Sequence, residues 1–145
     1  MDRGVAVLLT AAAGGLIAAQ APINAGLGKA TGSIAAALVS FSVGTVALAA
    51  VVVLSGKAGG LSSTFDVSWY YLLGGFLGAL YVCNALIAVS VIGAGGVAAA
   101  TVFGQLTASV VIDRLGLFGL DQVALSPERV LGIVLLLAGT VLVVR

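Results

Sequence analysis

The stretch 33–54, SIAAALVSFSVGTVALAAVVVL, contains no charged side chain. A backbone taken out of water must satisfy its own amides and carbonyls, and a helix does this within one segment. About 20 apolar residues in a helix cross a hydrocarbon core of ~30 Å. The stretch therefore reads as a transmembrane helix, and the same pattern recurs along the chain at about 4–25, 69–92, 97–113 and 127–144. The expected fold is an all-α integral membrane protein with five transmembrane helices, forming a single transmembrane domain over residues 1–145. Composition agrees: 61% of residues are hydrophobic and 8% charged, against about a quarter charged in soluble domains. The first apolar run outlasts a signal-peptide core and lacks a convincing cleavage site, so it reads as a retained span.

Several function classes drop out. A net charge of +1 gives no electrostatic footprint for nucleic acid. The absence of histidine removes the commonest metal ligand and the usual proton switch. Cys83 is the single cysteine, and within an apolar run it reads as an inert buried thiol. No nucleophile–base pair or metal cluster is visible, so neither an enzyme nor a bound cofactor is expected.

The informative residues are the polar ones inside the apolar runs. Gln20-Ala21-Pro22-Ile23-Asn24 closes the first run. Pro22 cannot donate a backbone hydrogen bond and frees a carbonyl one turn earlier. Gln20 and Asn24, four apart, share a face. With the helix ending near residue 25, Gln20 lies about one turn below the surface. The pair is then either a helix end meeting water or one rim of a polar cavity. A glycine-rich turn is expected at 26–32, with Thr31 or Ser33 capping the second helix. Ala36, Ser40 and Gly44 recur every fourth residue and read as a close-packing face. Ser68 is placed to cap the third helix, and Trp69, Tyr70 and Tyr71 suit the membrane–water interface.

Within the third run, Gly74 and Gly78 form a GxxxG packing pair. Tyr81 and Asn84 follow near mid-span on roughly one face. An amide at that depth needs a helix partner or a wet cavity, since lipid offers neither. An uncharged turn is expected at 92–97. Thr101, Gln105, Ser109 and Asp113 then draw a polar stripe down the fourth helix. A carboxylate near a helix C-terminus opposes the dipole, whereas Arg114 suits it. Asp113 is expected to pair with Arg114 or a backbone amide of the following loop. The loop itself, rich in leucine and glycine, is expected to lie in the interface. Ser126-Pro127-Glu128 is a strong helix start for the last span.

Five spans put the termini on opposite sides of the membrane. One side then carries Arg3, Lys57, Arg114 and Arg129, the other Lys29 and Arg145. So small a bias only weakly favours a cytoplasmic N-terminus and permits insertion both ways. Many transporters combine two inverted repeats around a midplane site, and five helices amount to one repeat. The partner expected is an antiparallel copy of the chain, or an inverted homologue, within membrane lipid. The expected function is alternating-access transport of a small polar solute. Gln20, Asn24, Tyr81, Asn84, Thr101 and Gln105 would bind the solute, while Pro22, Asp113 and Arg114 serve structural or gating roles. A passive channel or a non-transporting membrane subunit are the alternatives.

Gln20-Ala-Pro-Ile-Asn24, Gly104-Gln105, Asp113-Arg-Leu-Gly116 with Gly119, and Arg129 with Gly132 together resemble the small YdcZ-like branch of the drug/metabolite transporter superfamily. The resemblance covers nearly the whole chain. It implies a bacterial inner-membrane protein related to one half of the ten-helix members, with dual topology or paired inverted subunits. It implies no particular substrate. Small multidrug exporters of similar size rely on a buried glutamate in the first helix, and the first helix here has no acid. That argues against proton-coupled export of lipophilic cations, which needs a carboxylate whose pKa burial can raise.

Overall fold

The structure, a computed structural model, describes residues 2–145. Helix α1 spans Arg3–Thr31 and α2 spans Ser33–Leu54. Short 3-10 turns at Ala58–Asp66 and Trp69–Leu72 connect to a helical run, Leu73–Leu115. Gly93 breaks that run with φ 69° and ψ 171°, a backbone region open in practice only to glycine. The break leaves α3 (73–92) and α4 (94–115), and α5 spans Pro127–Val144. The chain divides into two compact units, one ending at Ser90 and one beginning at Val91.

Four helical segments among the described residues, Arg3–Thr31, Ser33–Leu54, Trp69–Leu115 and Pro127–Val144, are long and apolar enough to cross a membrane by length and composition. Their large side chains point outward: Leu54 is 87% exposed, and Leu16, Ile34 and Val91 are similarly bare. Water would penalise each such leucine or isoleucine by about 1.5–3 kcal/mol relative to burial. Lipid removes that penalty, so an apolar surface around a thin core is what a bilayer solvent selects.

In the first unit the core is small and made by close approach. Ala36, fully buried, and Ala37 on α2 meet Val82 and Leu86 on α3. Gly28 of α1 faces Ala36: a Cβ added at Gly28 would stand 3.8 Å from the Ala36 Cβ. Asn24, one turn earlier, faces Ser40, one turn later. Gln20 and Gly44 line one shared cleft a further turn along. The rows Gln20–Asn24–Gly28 and Ala36–Ser40–Gly44 therefore run antiparallel and in register. Phe41 lies against Gly78, 3.6 Å from where its Cβ would be. A Cβ added at Gly74 or Gly75 would meet nothing within 4 Å, so only one half of the GxxxG pair is used for packing here.

Local chemistry changes several expectations. Helix α1 does not stop near residue 25: it continues through Gly26, Gly28 and Lys29 to Thr31. Contact of Gly28 with Ala36 and Leu86 offsets the intrinsic cost of glycine in a helix, about 1 kcal/mol. The turn is a single residue, Gly32, at φ 84°. Neither Thr31 nor Ser33 caps α2: Gly32 holds that position, and the Thr31 hydroxyl donates back to the Leu27 carbonyl at 3.1 Å. Ser68 precedes the Trp69–Leu72 turn, but its side chain makes no cap.

In the second unit, α4 and α5 form a hairpin. The Thr140 hydroxyl lies 3.1 Å from the Ala99 carbonyl, and Gly95 lies beside Val143. The predicted start of α5 is realised: Ser126 Oγ accepts from the Arg129 amide at 3.3 Å, with Pro127 in the first turn.

Candidate functional site

Three of the residues singled out from sequence meet in the first unit. Gln20 and Asn24 on α1 and Tyr81 on α3 line one cleft, walled by Ile17, Val82, Ala85 and Leu86. Helical spacing explains the grouping: Ile17, Gln20, Ala21 and Asn24 follow the i, i+3, i+4, i+7 pattern of a single face. The free space is about 10 Å³, close to the minimum that holds one water. Asn24 is the one buried polar residue among those described, at 7% exposure. Its Nδ2 donates to Ser40 Oγ at 3.0 Å. No buried side-chain polar atom is left without a partner among the described residues. The Asn24 Oδ1, an acceptor that bonds to nothing in the described chain, is therefore not sealed away. Gln20 is exposed and also borders a second cleft of about 210 Å³ with Ser40, Phe41, Gly44 and Thr45.

The length of α1 matters for these amides. Gln20 stands eleven residues before Thr31, about 16 Å along the axis at ~1.5 Å per residue. It lies deep in a helix longer than the ~30 Å hydrocarbon core requires.

The other candidates do not line this cleft. Asn84 is exposed. Thr101 is half-buried and Gln105 exposed, both on α4 of the second unit. Pro22 lies inside α1, on a face lining a separate groove. Asp113 pairs with neither Arg114 nor a loop amide through its carboxylate. Arg129 Nη1 donates to Asp113 Oδ2 at 3.1 Å, while Arg114 is exposed. The loop brings this about: Gly116 turns left-handed at φ 62°, and the Val123 amide donates to the Asp113 carbonyl at 2.9 Å. The start of α5 is thereby delivered to the end of α4.

Sequence reasoning missed Ser40 and Arg129 as partners. For Ser40 the signal existed, a lone hydroxyl in a row of small residues. For Arg129 the only hint was its place in the first turn of a helix after a loop.

The ion pair is 37% and 33% exposed at its two side chains. Exposed pairs contribute about 0.2–1 kcal/mol. A double-mutant cycle with Asp113→Asn and Arg129→Gln, followed by thermal unfolding in detergent, should return a coupling within that range. A coupling several times larger would show that the pair is shielded from water.

Among the described residues no group of side chains could hold a metal ion. No curated protein and no solved structure matches the chain. A family profile described as "Putative inner membrane exporter, YdcZ" matches residues 5–142. The match reaches into every helix described above, and the chain belongs to this YdcZ family.

Proposed function

We propose that the chain exports a small polar solute by alternating access, with Gln20, Asn24 and Tyr81 as the first binding contacts and a second, inverted copy completing the path. The observation that carries this reading is the convergence of two amides and a phenol on one cleft deep along apolar helices. Amides offer both donors and acceptors, which suits a neutral or zwitterionic solute better than an ion. A cleft with room for one water is too small for a solute, so the site must open, or be finished by groups from another chain. The exposed amides of Asn84 and Gln105 fit the second option: lipid satisfies neither, and an inverted copy would offer partners or a shared wet cavity. In a bacterial inner membrane, the weak charge bias between the two sides permits the opposed insertion this requires.

The test combines flux with topology. Proteoliposomes holding the purified chain, loaded with a mixture of polar metabolites, should release one class of compound, and empty liposomes should not. In a Cys83→Ala background, a cysteine placed after Arg145 should be labelled from both faces of intact cells. Labelling from one face only, without a partner protein of opposite topology, would remove the inverted pair. Absence of flux for every polar class would remove the exporter reading of this site.

A further inference from the structure

A second groove in the first unit is separate from the amide cleft. It has a volume of about 460 Å³ and runs along the Pro22–Lys29 face of α1, the start of α2 at Ser33, and Leu86, Ile87 and Ser90 of α3. Lys29 is the only charged residue on its walls. The one ion pair among the described residues is Asp113 with Arg129, so no carboxylate of the described chain neutralises Lys29. Lys29 lies two residues from the end of α1, about 3 Å along the axis, beside the Gly32 turn that joins α1 to α2. The walls next to it are apolar: Pro22 and Ile87 are exposed, and Leu86 closes the floor.

We propose that this groove is a binding site for an anionic phospholipid. The phosphate sits on the Lys29 ammonium and the Ser33 hydroxyl, and an acyl chain lies along Ile87 and Leu86. Three features select a lipid over a free anion. The site holds one cation rather than the several that inorganic phosphate needs. It is polar at the headgroup end and apolar along its length. Its volume of about 460 Å³ is far more than a phosphate group fills.

The test is thermal unfolding of the full chain in neutral detergent, titrated with phosphatidylglycerol, phosphatidylcholine or glycerol phosphate. Phosphatidylglycerol should raise the unfolding temperature in a saturable manner, because a ligand of the native state stabilises it. Lys29→Gln should weaken that lipid by about fivefold, the effect of one basic residue near a surface phosphate, and Lys29→Arg should restore it. Ile87→Ser should weaken the lipid without altering any response to glycerol phosphate. Lys57→Gln, a loop lysine outside the groove, should change nothing. An equal loss in Lys57→Gln would reduce the effect to general charge attraction and overturn the site. So would glycerol phosphate matching phosphatidylglycerol, or an unchanged titration in Lys29→Gln. Solute flux through the amide cleft is a separate readout, so either proposal can fail alone.

Discussion

Replacing Asn24 with leucine should cut solute flux by roughly tenfold or more while leaving the fold in place. The two readouts separate because Asn24 has two jobs of unequal weight. Its structural job is one bond to Ser40 across the α1–α2 contact. Hydrogen bonds between membrane helices contribute about 0.6 kcal/mol on average and rarely much more than 1.5. The orphaned Ser40 hydroxyl can turn back to the carbonyl four residues earlier, as the Ser42 hydroxyl does to Leu38. Leucine matches asparagine in branching and heavy-atom count, so the buried position remains filled. The functional job is larger. A buried polar site that loses its partner for a solute group leaves that group unsatisfied, at about 1–3 kcal/mol, and about 1.4 kcal/mol is already a factor of ten. Tyr81→Phe should give a smaller loss, since it removes one hydroxyl and keeps the ring wall. The measurement is release of the transported class from proteoliposomes, paired with an unfolding curve for each variant. Flux equal to the parent chain in Asn24→Leu would exclude this cleft from the solute path.

The largest effect on stability is expected from Ala36→Leu. Ala36 is fully buried and stands against Gly28 and the Leu86–Val82 face. Three added carbons have no space there without parting α1 from α2. Overpacking of this kind costs about 1–3 kcal/mol, a large share of the total where the core is built from a few small side chains. The informative comparison is Gly44→Leu, two turns along the same row. A Cβ at Gly44 would meet nothing within 4 Å, so the single chain tolerates the change. Thermal unfolding should therefore fall sharply for Ala36→Leu and little for Gly44→Leu. Equal damage at Gly44 would mean that another chain packs against that end of the row.

These two residues show how far sequence reasoning reaches. The every-fourth spacing of Ala36, Ser40 and Gly44 marked a close-packing face, and the structure uses it from Ala36 to Ser40. Spacing alone could not find the opposing row. Gln20, Asn24 and Gly28 oppose it only because α1 continues through a glycine-rich segment that reads as a turn. Glycine's penalty in a helix is intrinsic and visible in sequence, whereas the contact of Gly28 with Ala36 that offsets it is not. Asp113 teaches the same lesson. Its need for a counter-charge at a helix C-terminus was legible. The identity of Arg129 was not, because sixteen residues and a left-handed turn at Gly116 separate them.

The sequence by itself pointed to lipid as the solvent and to helix for each long apolar run, but not to where α1 ends. Long uncharged runs leave a backbone no alternative to helix in lipid, and Ser126-Pro127 starts α5 through chemistry confined to one turn. It also picked out which amides are anomalous, since an amide among apolar residues is a local fact. Only the tertiary structure decided that Gln20, Asn24 and Tyr81 share a cleft while Asn84 stands outside it. The physical reason is that a helix periodicity specifies which residues share a face, and only the packing of other helices specifies what that face meets.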